Sequence, residues 1–259
     1  MKNLSFSLDK GKCVKCGLCV SDCSSKVIKF GDDGYPYSES NECLGCQHCL
    51  AICPTGAISV FGKNPEESVK NENIPSAEQM ESLIKNRRSC RQFKLENVNP
   101  ETIDKLKDIM NWVPTGCNFK DLHFSFIEDY KKLDSIKERV YKKLKFLIKF
   151  MPVKGSLKRY KNAILSGEDM IFRNAPHMVV VSVNKKAPCA NIDPVIALSY
   201  FELYAQTLGV STLWCGLAYK TLPLSKSVMK ELNIPKSHKM AYVMMFGYPS
   251  INYKRAIQP

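Results

Sequence analysis

Eight of the twelve cysteines repeat a single spacing. Cys13, Cys16, Cys19 and Cys23 form a C-x2-C-x2-C-x3-C run. Cys43, Cys46, Cys49 and Cys53 form a second one, closed by Pro54. Thiolates two residues apart on a tight loop can face three irons of one cubane, and this is the spacing that holds [4Fe–4S] clusters. The fourth cysteine, one residue further on, points away and ligates the other cluster. The expected ligand sets are therefore Cys13, Cys16, Cys19 and Cys53 for one cluster, and Cys43, Cys46, Cys49 and Cys23 for the other. Ser24 stands where a proline would match Pro54, a change that alters a turn but removes no ligand. A secreted disulfide framework and zinc ribbons are the competing readings. Zinc sites pair cysteines across a longer gap, and Met1 to Lys12 holds no apolar run of the kind a secretion signal needs.

Over about residues 5–60 the chain resembles the two-cluster bacterial ferredoxins. A pair of one-electron carriers joined to about two hundred further residues implies an endpoint for the electrons. The remaining cysteines, Cys90, Cys117, Cys189 and Cys215, are expected to be free thiols in a reducing compartment, so the expected location is cytoplasmic. The most apolar window, Val195 to Ala218, is interrupted by Glu202, Gln206 and several hydroxyls. It reads as a buried helix leading into a strand, and no membrane partner is expected.

Charge is unevenly placed. Residues 1–60 carry six Lys and six Asp plus Glu, so the whole net charge of +13 lies beyond them. It is densest from Lys131 to Lys161, where twelve Lys and Arg face only Asp134 and Glu138. A solvated helix face is one reading, and a docking or substrate-covering segment for something anionic is the other. No nucleic-acid reader motif accompanies the charge, so nucleic acid is set aside as the expected partner.

The elements that must position any site follow from the pattern. A cluster domain over residues 1–61 gives way to a polar linker, residues 62–75, with two prolines. The rest, residues 76–259, forms the larger domain. Ser76 with Gln79 makes a capping box for a helix whose apolar stripe is Met80, Leu83 and Ile84. Asn99-Pro100-Glu101 opens a second helix, with Ile103, Leu106, Ile109 and Met110 facing inward. Strands are expected at Leu122 to Ile127, Met178 to Val183, Val210 to Trp214 and Met240 to Phe246. Helices are expected at Pro194 to Leu208 and Leu224 to Leu232, with a long basic helical region after the first of these strands. The expected fold is α+β, a sandwich of helices around one mainly antiparallel sheet, preceded by the small two-cluster domain.

The chemistry at the electron endpoint is narrowed by absences. No G-x-G-x-x-G follows a strand, and there is neither a G-x-x-x-x-G-K-[ST] nor an H-E-x-x-H. His48, His123, His177 and His238 are scattered and read as structural. A flavin accepts single electrons and delivers pairs, which suits a cluster partner. Arg87, Ser89 and Arg91, with Arg88 among them, put guanidinium forks and a hydroxyl on a short turn, a set that suits a terminal phosphate. On its own such a run also fits ordinary surface charge.

From about Ser76 to Pro259 the chain resembles the FMN-dependent nitroreductase family. The resemblance is carried by four motifs in order. They are Arg87-Arg88-Ser89-Cys90-Arg91-Gln92-Phe93, Val113-Pro114-Thr115-Gly116-Cys117-Asn118, Leu208 through Gly216, and Phe246-Gly247-Tyr248-Pro249. It implies FMN, with Arg87, Ser89 and Arg91 on its phosphate and ribityl chain and Lys254 or Arg255 assisting. It implies that Pro114, Thr115, Gly116 and Asn118 reach the isoalloxazine, by family analogy from a partner subunit. Gly216 would present its backbone N–H near flavin N5, with Cys215 beside it, and no side chain need act as a nucleophile. A homodimer is implied, since the family's sites lie between subunits.

The resulting expectation is an FMN-dependent oxidoreductase. It would be loaded through its clusters by a ferredoxin-type or other reduced donor and would reduce a nitroaromatic, quinone or similar conjugated acceptor. A metabolite-specific flavin oxidoreductase using the clusters as an electron exit, a pure electron carrier and a redox sensor with a basic face remain open beside it.

Overall fold

The small N-terminal part is built from one pattern used twice. A computed structural model describes residues 5–38, 42–152 and 154–258. The chain divides into two compact units: Met1–Ile74 with Cys117–Phe119, and Pro75–Gly116 with Lys120–Pro259.

In the first unit, β1 (Phe6–Leu8) precedes α1 (Leu18–Ser21), β2 (Lys29–Phe30), β3 (Pro36–Tyr37), α2 (His48–Ala51) and β4 (Ile58–Val60). β1 pairs antiparallel with β4, Phe6 opposite Val60 and Leu8 opposite Ile58, while β2 pairs with β3. The two cysteine loops have the same backbone. Lys15 and Gly45 are left-handed at one equivalent position, Gly17 and Gln47 at a second, and Lys26 and Gly56 at a third. A side chain at Gly17 would meet Phe30 at 3.0 Å, so that loop needs glycine both for its turn and for close packing. Cys19, Val27, Ile28, Leu50, Ile58 and Val60 make the small core. Residues 63–68, read from sequence as linker, are folded here. Asn64 accepts from the Glu66 N–H to start a 3-10 turn at Pro65–Glu67, and Lys12 pairs with Glu66 at 3.0 Å.

The second unit runs α3 (Ala77–Asn86), α4 (Pro100–Asp108), β5 (Leu122–Ile127), α5 (Tyr130–Lys149), α6 (Ser156–Ser166), β6 (His177–Asn184), α7 (Asp193–Thr207), β7 (Ser211–Trp214), α8 (Gly216–Thr221), α9 (Lys226–Glu231) and β8 (His238–Gly247). The sheet order is β5-β6-β8-β7, with every pair antiparallel. β6 is buried on both faces because Met178 and Val180 face one core and Val179 and Val181 the other. The first core is completed by Leu133, Ile136 and Val140 of α5 and by α8 and α9. The second is completed by Ile103 and Leu106 of α4 and by Ala197, Leu198 and Phe201 of α7. The result is the expected α+β sandwich around an antiparallel sheet.

The capping box of α3 is present, with Ser76 Oγ accepting from Gln79 N–H and Gln79 Oε1 accepting from Ser76 N–H. Its apolar stripe is not a core face, since no residue of α3 is buried and Met80 and Ile84 are exposed. The helix expected over 224–232 is shorter, because Pro223 sits in a 3-10 turn at Leu222–Leu224 and α9 begins only at Lys226. α7 buries one face, while Val195 and Tyr200 are exposed on the other. Among the described residues no helix is long and apolar enough to cross a membrane.

Candidate functional site

The cysteines of the first unit gather on two cavities. One is lined by Cys13, Cys16, Cys19 and Cys53, the other by Cys43, Cys46, Cys49 and Cys23. Each cavity thus takes three cysteines from one loop and the fourth from the other, an arrangement that fits a four-cornered cluster. Backbone donors support the sulfurs. Ala57 N–H donates to Cys53 Sγ at 3.3 Å, and Gly45 N–H to Cys43 Sγ at 3.3 Å. Burial pushes the Cys53 thiol up, but the donors from Ala57, Thr55 and Gly56 outweigh it and the net shift is downward, toward the thiolate that ligates iron. Burial pushes Cys49 up to about 11, so metal must displace its proton. Among the described residues no three His, Cys, Asp or Glu side chains converge on a single ion position. A cubane is gripped at its corners and does not require such a point.

In the second unit, α3 ends at Asn86, and from Arg87 the chain runs on beside β7. Ser89 bridges Thr212 in parallel, and Cys90 N–H donates to Thr212 O at 2.8 Å. β7 then runs to Trp214 and, through Cys215, to Gly216 at the start of α8. Ser89 therefore lies beside the start of β7, and Gly216 opens the helix that follows its end.

Arg87 is anchored by a residue the sequence reading did not single out. Glu202 of α7 accepts from Arg87 Nη1 at 3.1 Å, from Thr212 Oγ1 at 3.1 Å and from Trp214 Nε1 at 3.0 Å. Its side chain is 8% exposed, against 36% for Arg87. The available signal was an acid inside an otherwise apolar helix, since such a group is retained only where it is paired.

Past β8, the C-terminal segment turns back beside the arginines. Lys94 N–H donates to Tyr248 O at 2.9 Å and Ser250 N–H to Gln92 O at 3.0 Å. Arg88 lies 5.7 Å from the Tyr253 ring, which brings the stretch holding Lys254 and Arg255 to the Arg87–Arg91 segment. Among the described residues Arg88, Arg91, Lys254 and Arg255 form no ion pair. Uncompensated cations of this kind fit a phosphate group.

The turn after α4 is held from within the second unit. Gly116 N–H donates to Asp193 Oδ1 at 3.0 Å, and Thr115 Oγ1 accepts from Lys120 N–H at 2.9 Å. A side chain at Gly116 would overlap Cys189 Sγ, so glycine is required by space alone. Asn118 belongs to the first unit, where its Nδ2 donates to Leu44 O at 3.0 Å. Asp193 is 3% exposed and was also missed by the sequence reading. Cys215 faces inward, its thiol donating to Ile171 O at 3.1 Å and accepting from Ala218 N–H at 3.4 Å, and burial raises its pKa. A ligand near this position would therefore meet backbone rather than sulfur. At Gly216 a side chain would approach Tyr242 Oη at 3.1 Å, so the start of α8 leaves little room for one.

Comparison with known proteins matches residues 84–248, more than half of the chain, to the nitroreductase family, and residues 12–57 to a 4Fe-4S dicluster domain. The fold is similar to that of a nitroreductase with bound FMN from Bacteroides fragilis, with a TM-score of 0.56 and 20% identity over 70% of this chain and 95% of that one. The N-terminal part is 31% identical over 58 residues to a ferredoxin of Methanothermococcus thermolithotrophicus, covering 22% of this chain and 97% of the ferredoxin. It is 33% identical over 75 residues to an archaeal-type glutamate synthase [NADPH] of Dehalococcoides mccartyi. That match covers 29% of this chain but only 15% of the length of the synthase.

Proposed function

The chain belongs to the nitroreductase family, a family of flavin-dependent oxidoreductases, and carries a 4Fe-4S dicluster domain; from that premise we propose that it passes electrons from two [4Fe–4S] clusters through FMN to a small conjugated acceptor. The acceptor class is a nitroaromatic or quinone, and the donor is a reduced ferredoxin-type carrier. The clusters supply one-electron storage, and FMN supplies the conversion of single electrons into a pair delivered at N5.

The protein's part is binding and electrostatics. The four-cysteine sets hold the clusters, and backbone donors to Cys43 and Cys53 stabilise the bound sulfurs. Arg87, Ser89 and Arg91, with Arg88, Lys254 and Arg255, neutralise the phosphate, and Glu202 fixes the Arg87 fork beforehand. Pro114, Thr115 and Gly116, tied down by Asp193, shape one wall of the ring site. Gly216, with Cys215 behind it, offers its backbone N–H to the ring edge. The observation that carries the reading is the Ser89–Thr212 bridge, which joins the arginine segment to the strand ending at Gly216.

The functional parts are assigned to residues 1–61 and 76–259. The protein is read as a cytoplasmic homodimer, with the exposed face of α7 suited to a second copy. Heat release of bound flavin followed by an anaerobic reductive titration tests the proposal. FMN should be released, and the titration should consume one electron for each cluster and two for the flavin. Release of FAD, or uptake of the flavin's two electrons alone, would defeat it.

A further inference from the structure

The end of the α5–α6 hairpin combines two features that the proposed redox chemistry does not use. From Lys142 onward no described residue of α5 is buried. Phe146 is 72% exposed and Phe150 76%, with Leu147 and Met151 also exposed beside them. These four recur at i, i+1, i+4 and i+5, which places them on one side of the helix end. Lys161 Nζ donates to Lys149 O at 3.1 Å and to Met151 O at 2.8 Å, so α6 closes the open carbonyls of α5 and fixes the hairpin.

The second feature is charge. From Arg139 to Gly167 the sequence holds nine Lys and Arg and no Asp or Glu. Nearer the core the cations are neutralised: Lys137 pairs with Asp134 at 2.7 Å and Arg139 with Glu231 at 2.6 Å. Toward the tip, Lys142, Lys143, Lys145, Lys149, Lys158 and Arg159 have no carboxylate partner among the described residues. Apolar side chains are thus solvated at a helix end whose own charges are positive, while the nearest acids, Asp134, Glu138, Glu168 and Asp169, lie at the base of the hairpin beside Lys142, Lys145, Lys158 and Arg159.

The sequence expectation of no membrane partner rested on the absence of a spanning segment; we propose that this tip nevertheless docks the protein on the surface of a bilayer carrying anionic phospholipids. Phe146, Leu147, Phe150 and Met151 enter the boundary between headgroups and acyl chains, and the neighbouring lysines meet the headgroup phosphates. The choice of a lipid surface over an acidic protein rests on shape as well as charge. Four exposed apolar side chains at one helix end suit a deformable apolar medium, which receives them without the matching pocket a rigid partner must supply. Long lysine stems can lie along apolar surface while their ammonium groups stay at the polar boundary.

The test is sedimentation of the purified full-length protein with vesicles. One set is neutral phosphatidylcholine, and the other contains about one-third phosphatidylserine. The protein should pellet with the acidic vesicles, stay in solution with the neutral ones, and lose binding as salt rises. Phe146→Asp/Phe150→Asp should cut vesicle binding at least tenfold, while its helix content and thermal midpoint match the parent's. Lys142→Glu/Lys143→Glu gives a second variant that leaves the apolar side chains in place, and it too should bind at least tenfold more weakly. No binding to acidic vesicles, equal binding to both kinds, or full binding by the folded phenylalanine variant would overturn the proposal. So would conversion of a dimer to a monomer by that variant, since a second copy would then be the occupant of the tip.

Discussion

Replacing Glu202 by Gln keeps the shape of the buried side chain and removes its charge. In the parent, one carboxylate oxygen takes Arg87 and Thr212 and the other takes Trp214. An amide has one acceptor atom and two donors, so either the Trp214 N–H or the Arg87–Thr212 pair must face an NH2 group. Leaving a buried donor opposed costs about 1–3 kcal/mol. Loss of the ion pair adds less than the full value for a buried pair, because Arg87 is 36% exposed and partly screened. The sum is about 3 kcal/mol, which for a domain of this size lowers the thermal midpoint by about 6–12 °C. Arg87 also loses its preset orientation. Ordering one long side chain costs about 1 kcal/mol, so FMN affinity should fall about fivefold. A double-mutant cycle with Arg87→Ala, read by thermal unfolding and by flavin fluorescence, isolates the pair and should give a coupling of about 1–2 kcal/mol. A Gln variant that melts with the parent, together with a coupling below about 0.3 kcal/mol, would refute the reasoning.

Replacing Arg87 and Arg91 together by Ala should weaken FMN binding at least about a hundredfold, since each charge-assisted bond contributes about 1.5–3 kcal/mol, and equilibrium dialysis measures it. Asp193→Ala leaves the Gly116 N–H without its acceptor, so hydrogen exchange at that amide should speed up and FMN affinity should drop; unchanged protection would remove Asp193 from the account. His177 is fully buried, and burial lowers its pKa from 6.5 to about 4. The folded state thus favours the neutral ring, and its stabilisation is complete above about pH 6.5 and lost as pH falls toward 4, up to about 3 kcal/mol in all. His177→Gln can still accept from the Val98 N–H through its amide oxygen, so its thermal midpoint should fall less between pH 7 and pH 4.5 than the parent's, and parallel slopes would count against the assignment.

What the sequence made legible was what depends on neighbours along the chain. β5 lies at the expected residues, and the Ser76–Gln79 capping box forms, because both rest on spacings of a few residues. The antiparallel sandwich follows from strands whose apolar runs are bounded by clear turns. α8 was not foreseen because six residues are too few for a helical period to stand out, and its cap is the Cys215 thiol, which accepts from the Ala218 N–H. The partner of Arg87 was hidden for another reason. Glu202 lies 115 residues away, and only the packing of α7 against β7 brings them together. The stripe on α3 shows the converse, for Met80 and Ile84 have helical spacing but remain exposed in the single chain.

The central claim is that the clusters feed the flavin, and rapid mixing of cluster variants with a reduced ferredoxin-type donor tests it most directly. Cys46→Ala removes a thiolate from the cavity of Cys43, Cys49 and Cys23, and Cys53→Ala removes one from the cavity of Cys13, Cys16 and Cys19. Both variants should keep FMN, and flavin reduced chemically should reoxidise with a quinone at the parent rate. Reduction of the flavin by the protein donor should fall sharply in each. Donor-driven bleaching at the parent rate with a cluster missing would contradict the account and take the clusters off the electron path.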